Sequence, residues 1–286
     1  MMILLVLLLS LSQAFACSED GSSGFAPHDG EPVPVGAKNA NIATEDDFNR
    51  IISSVTDIYA PIMSAMGGEL IVNRKWTDNT ANANATRSGS KWTINMYGGL
   101  ARHAAITPDG FALVVCHELG HHIGGAPKMG GLLGWLNRWA SNEGQADYFS
   151  TLKCLRRVWM SEDNAAAMRE VDVPEVLRNS CDASYRDVGD RALCTRIGMA
   201  GLSTATFLAG SAPAPRFEAP NATVVRSTND RHPEAQCRLD TYLQGVMCDK
   251  AFSEDVSQSD EVQGTCHPSL GSTVGNRPLC WFKPRT

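Results

Sequence analysis

Two histidines four residues apart, His117 and His121, flank a glutamate in the run Cys116-His117-Glu118-Leu119-Gly120-His121-His122. On a helix, residues at this spacing share a face, so both imidazoles can grip one ion while Glu118 stands beside it. Two neutral imidazoles are metal ligands, and a nearby carboxylate is a general base for a water activated by the ion. The alternative is a solvated His/Glu helix face. It fits poorly, because the residues just before His117 are almost wholly apolar and predict a buried helix.

A catalytic zinc takes three protein ligands and keeps one position open. The third arm is sought downstream, in Asn142-Glu143-Gly144-Gln145-Ala146-Asp147. Glu143 and Asp147 are again four apart, on a helix predicted from about Ser141 to Met160. Glu143 follows His121 by 22 residues, enough for two antiparallel helices to face each other. Glu143 is therefore the candidate third ligand. Asp147, one turn on, is the candidate acceptor for the second N–H of a ligand histidine, a bond that fixes tautomer and orientation. His122 projects away from His121 and reads as a neighbour. His28, His103 and His267 have no partner motif and read as structural or exposed.

In this order the motifs resemble the gluzincin zinc metallopeptidases, in which two histidines and a downstream glutamate bind zinc. His232-Pro233-Glu234-Ala235-Gln236-Cys237-Arg238 is similar to a segment that follows the zinc site in peptidases of the HtpX and CAAX-prenyl-protease type. The resemblance spans about 130 residues, Pro108 to Arg238. It implies a zincin-like fold, a Zn2+ cofactor and a protein or peptide substrate. It also places His232 and Arg238 at the cleft, to stabilise an oxyanion or gate the ion. The catalytic set is then Glu118, His232 and Arg238. The chain departs from that group in lacking internal transmembrane spans, in short motif spacing and in its many cysteines.

The elements that must hold these residues can be read in outline. Thr44 caps a helix to Met66, with Asp46 and Asp47 in its first turn and Ile51, Val55, Ile58, Ile62 and Met66 on one face. Leu70–Trp76 and Lys91–Met96 read as strands, and Thr77–Ser90 as the turn or loop between them. Ile94–Tyr97, just before the metal helix, is the candidate sheet edge for an extended peptide. Thr107-Pro108-Asp109 starts the metal helix and Gly124-Gly125 stops it. Further helices are predicted at Ala165–Val171 and Val188–Leu208, and a last one from His232 towards Cys248. The expected class is α+β, mainly helical, with a small antiparallel sheet.

The chain has 286 residues, 43% of them hydrophobic, and a net charge of -6. With no Lys/Arg run, nucleic acid is excluded as a partner. Residues 1–16 read as a signal peptide: an aliphatic run and then Ala14-Phe15-Ala16. Residues 17–41 read as a flexible tether, and 42–286 as the metallopeptidase domain, with a lid loop at 210–231 and a tail from Ala251 tied down by Cys266 and Cys280. Cys17 is the lipidation candidate; plain secretion is the other reading. An exported chain meets an oxidising compartment. Nine cysteines leave eight to pair if Cys17 is lipidated, with Cys181 and Cys194 stapling neighbouring helices. The expected location is the periplasm or envelope, as a lipoprotein attached to a membrane, or the secreted medium.

The function expected is zinc-dependent hydrolysis of peptide bonds. A zinc hydrolase of a non-peptide amide is one alternative. A non-catalytic envelope or secreted protein with a retained zinc ion is another, against which the intact Glu118 argues.

Overall fold

The computed structural model describes residues 24–130 and 138–285, together with the main chain of 14–15. The signal peptide's apolar run and Cys17 lie outside these residues. In chain order the elements are β1 (Ala14–Phe15), α1 (Glu45–Ala65), β2 (Glu69–Lys75), β3 (Ala83–Ser88), β4 (Lys91–Tyr97), α2 (Gly98–Arg102) and α3 (Pro108–Ile123). There follow α4 (Glu143–Phe149), α5 (Leu155–Trp159), α6 (Asn164–Met168), α7 (Glu175–Ser184), α8 (Val188–Ala209) and α9 (Ala235–Met247). The class is α+β.

Helix α3 is the hub. Thr107 accepts the Gly110 N–H at 3.0 Å, Pro108 occupies the first turn, and every residue from Gly110 to Ile123 is buried. A helix apolar on all sides has no solvent face to offer, so it sits where others can cover it. Helices α1, α4 and α8 and the sheet do so. The α8 helix is long and apolar enough to cross a membrane by composition, yet it packs against α3 and α9 in the core. Helix α1 is capped by Thr44 as expected. Its buried stripe is Phe48, Ile51, Ile52, Val55, Tyr59 and Met63, rotated from the predicted face, and Met66 is exposed.

The sheet corrects three expectations. It is mixed rather than antiparallel: β4 runs parallel to β2, with Leu70 opposite Trp92, and antiparallel to β3, with Ala85 opposite Ile94. Strand β3 lies inside the stretch read as a loop; its polar sequence, Asn84-Ala85-Thr86-Arg87, hides the alternation that marks a strand. Ile94–Tyr97 is therefore in an interior strand, with both sides paired; the outer side of β3 is met at Thr86 and Arg87 by Ala14 and Phe15 and at Ala83 by Phe25, and β2 is an outer strand of the sheet. A row of side-chain amides fixes the register: Asn73 donates to Asn95, and Asn95 to Asn84, each at 2.8 Å.

The predicted tether is also corrected. Gly24, Phe25 and Ala26 are buried, and the Phe25 N–H donates to the Ala83 carbonyl at 2.7 Å. Its Gly/Ser/Pro composition suggests a loose chain, but main-chain pairing and one aromatic side chain hold it down.

The helix predicted from Ser141 to Met160 is one helical path with a wide π turn, Ser150–Cys154, between α4 and α5. Four disulfides staple the molecule: Cys116–Cys154, Cys181–Cys194, Cys237–Cys280 and Cys248–Cys266. The second is the expected pair, but it ties α8 to α7, a helix between the two that the sequence predicts, and the last two tie the tail. These bridges fit an oxidising, exported setting. The tail buries Trp281 and Phe282 and lends Arg277, whose Nε–H donates to Gln145 in α4 at 2.6 Å. The 210–231 loop is pinned too: Asn142 donates to Asp230 at 3.1 Å, and the Asn229 N–H to the Trp281 carbonyl.

Candidate metal centre

Asn142 sets up α4 by accepting the Gln145 N–H at 2.9 Å, which aims Glu143 from the first turn towards α3. The two helices come close because Gly120 faces Ala146; a Cβ on Gly120 would lie 3.1 Å from the Ala146 backbone. On the far side of α4, Gly144 makes room for the Trp281 ring. Glu143 thus meets both histidines. Its Oε2 is 3.3 Å from His117 Nε2, and its Oε1 is 3.6 Å from His121 Nε2. One ligand atom from each of the three residues lies within 4.8 Å of the others, all fully buried.

The donor set fits a metal ion. His117 Nε2, both oxygens of Glu143 and both oxygens of Glu118 are buried without a hydrogen-bond partner. Leaving buried polar atoms unpaired costs about 1–3 kcal/mol each, and more for charged ones, so five together call for a cation or its water. The remaining ring nitrogens are already committed. His117 Nδ1–H donates to Asp147 at 2.8 Å, and His121 Nδ1–H donates to the Ser141 carbonyl at 2.9 Å. Both bonds turn the Nε2 edge of each ring towards Glu143. The centre can hold a metal ion through His117, His121 and Glu143.

Asp147 is the brace the spacing predicts, and it is held more firmly than expected. Arg238 donates to it from Nε and Nη2, both at 2.7 Å, and Tyr242 donates its hydroxyl at 2.9 Å. Tyr242 is one helical turn beyond Arg238 on α9, a spacing that could have pointed to it. Ser141, immediately before the Asn142 cap, carries no such signal, because it acts through its carbonyl.

Electrostatics follow from burial and from this brace. Burial pushes the His117 imidazole down, but the Asp147 carboxylate overrides it and draws the group up to about 9. His121 is held down at about 4 by burial, which outweighs the upward pull of the Glu143 carboxylate. Burial acts to raise Glu143, but His232, His121 and His117 outweigh it and hold its carboxyl well below the usual range. Glu118 has burial as its main influence and is pushed up to about 8.

His232 and Arg238 are both brought to the centre, on different sides. His232 Nε2 lies 3.4 Å from Glu143 Oε1 and donates to the Gly24 carbonyl at 2.8 Å. Arg238 is fully buried behind His117. Its donors are taken up by Asp147 and by the Phe25 carbonyl at 2.7 Å, so it braces rather than faces the cleft. His122 stacks between Trp92 and Trp139. His28 is exposed, His103 packs on Phe207, and His267 caps the turn at Ser269. Cys248, Asp249 and Cys266 also cluster, but the two sulfurs are bonded to each other and are not thiolate ligands.

No family model, curated protein or solved structure matches this chain.

Proposed function

We propose that this chain is an exported, zinc-dependent peptidase with Glu118 as its general base. The observation that carries the reading is Glu118 itself. It is a fully buried carboxylate with both oxygens unpartnered, one residue from a ligand histidine and within electrostatic reach of Glu143. A buried acid at that place has no structural bond to justify it, whereas a proton-transfer role does.

Two imidazoles and one carboxylate suit zinc, which would supply a Lewis acid for a water and a carbonyl. Glu118 takes a proton from the attacking water and delivers it to the amine nitrogen as the C–N bond breaks. Its raised pKa makes it a stronger base than an exposed carboxylate. Asp147, steadied by Arg238 and Tyr242, keeps His117 in one tautomer. His232 carries an N–H that already bonds a peptide carbonyl, that of Gly24, and the same donor serves a developing oxyanion.

A peptide is favoured over other amides because the Ala83 end of β3, beyond its pairing with Ala14 and Phe15, holds an extended segment through a main-chain bond to Phe25 beside the centre, as sheets hold extended peptide chains. The order His117, His121, Glu143, Asp147, His232 and Arg238 resembles the gluzincins, and that resemblance supports the reading. The protein works in the envelope, anchored through Cys17, or in the secreted medium.

The test compares zinc content and hydrolysis of a peptide library for the wild type and Glu118→Gln. Both should bind one zinc, and only the wild type should cleave. Equal rates in the two would sink the peptidase reading; absence of zinc from the wild type would remove the metal centre itself.

A further inference from the structure

Five successive main-chain groups beside the centre belong to the chain's own N-terminal segment, and all five are paired. The Gly24 carbonyl accepts from His232 at 2.8 Å. The Phe25 N–H donates to the Ala83 carbonyl at 2.7 Å, and the Phe25 carbonyl accepts from Arg238 at 2.7 Å. The Asn82 side-chain amide holds both polar groups of Ala26, accepting its N–H at 3.0 Å and donating to its carbonyl at 3.3 Å. The segment continues antiparallel to the entry of β3, with Gly30 opposite Ala81.

Three side-chain features are specified, one of them the Asp29 carboxylate, which accepts from the Asn82 amide at 2.8 Å. Gly24 runs so close to the edge that a Cβ there would sit 1.9 Å from the Ala83 oxygen. Phe25 is fully buried, edge-on to the His117 ring at 5.0 Å, under the Arg238 guanidinium at 4.5 Å and stacked on Phe207 at 6.3 Å. Beyond it the chain returns to the surface: Pro27, His28 and Asp29 are exposed, and Gly36 turns in open space. Main-chain pairing along an edge, with one aromatic anchor, is how a sheet holds an extended peptide ligand.

We infer that Gly24–Ala26 is an intramolecular occupant of the peptide-binding edge formed by Asn82, Ala83, His232 and Arg238, and that this edge takes an external extended peptide with an aromatic residue in the Phe25 position once the segment leaves. The protein is partly latent while the segment is seated: the intact wild type cleaves more slowly than the nicked chain, and Glu118→Gln cleaves in neither form. The inference rests on the peptidase reading for the chemistry of the site, but its binding step can be tested apart from cleavage.

A protease recognition sequence inserted after Gly36 allows the folded, disulfide-intact full chain to be nicked and dialysed. The probe is a fluorescently labelled peptide with the sequence of residues 24–30, followed by anisotropy, with zinc content and circular dichroism recorded in parallel. The intact chain should leave the probe free. The nicked chain should bind it saturably and should bind a version with Ala in the Phe25 position about thirtyfold more weakly. Gly24→Val in the un-nicked chain, which drives the segment off Ala83, should also bind the probe.

The inference is overturned if the nicked chain keeps zinc and fold yet ignores the probe. It is also overturned if releasing the segment costs the fold, which would make the segment a core strand. A folded Gly24→Val chain that ignores the probe has the same meaning. Peptide cleavage at equal rates by intact and nicked chains removes the latency but keeps the peptidase. Probe binding without cleavage, with zinc present, removes the peptidase and keeps the occupied edge.

Discussion

The carboxylate of Asp147 receives two N–H groups of Arg238, each at 2.7 Å, with both side chains fully buried. This pair joins α4 to α9, and Asp147 passes the constraint on to His117 in α3. Breaking such a pair leaves one uncompensated buried charge. Arg238→Met is therefore expected to cost about 3–5 kcal/mol of stability, measured by urea unfolding. Asp147→Asn combined with Arg238→Met should cost less than the two single losses added together.

Asp147→Asn tests the brace by a different readout. The amide can still reach His117 but no longer carries the charge that raises ligand basicity. Zinc affinity, measured by competition with a chromophoric chelator, should fall about 10- to 100-fold. An unchanged affinity would make Asp147 a folding residue only.

Removing the ion should uncouple the helices that it links. A ligand that binds only the folded chain stabilises it by about 2.7 kcal/mol at a hundred times its dissociation constant. Unfolding midpoints should therefore rise with added zinc for the wild type and fall on dialysis against a chelator. His121→Ala should show neither response, because one of the three arms is gone.

The disulfides should separate by location. Cys116–Cys154 anchors α3 one residue before His117, whereas Cys181–Cys194 joins α7 to α8 away from the centre. Replacing either pair by alanines should cost about 2–5 kcal/mol. Only loss of the first pair should also weaken zinc binding, as read by the same chelator competition.

Gly144→Ala probes the packing behind Glu143. The new methyl would sit 2.3 Å from the Trp281 ring, and neither the ring nor α4 has free space around it. Overpacking of this kind costs about 1–3 kcal/mol. Because Glu143 is in the same turn, zinc occupancy should fall with stability, measured by metal analysis after gel filtration.

What was legible in the sequence was whatever helical spacing could encode. His117, His121, Glu143 and Asp147 are all set four apart on helices, and their convergence needed only that α3 and α4 face each other. Caps at Thr44 and Thr107 were legible for the same local reason. Strand β3 was not, because Asn84, Thr86 and Arg87 give no apolar alternation, and its pairing with β4 puts Ile94 inside the sheet. The seating of Gly24–Ala26 was hidden more deeply, since its bonds come from main-chain atoms, which no side-chain pattern records. Arg238 was found by motif resemblance, but its partner was not: only the fold brings it 91 residues back to Asp147.

The bond between the Gly24 carbonyl and His232 gives the molecule a mechanical polarity. A pull applied at Gly24 itself would meet that bond first, then the Phe25 bonds to Ala83 and Arg238, then the Asn82 clasp on Ala26. Bonds that break in succession yield to far smaller forces than bonds that bear the load together. The stretch from Gly24 to Ala26 is thus a ripcord whose first stitch lies at the metal centre, while four disulfides tie the body behind it.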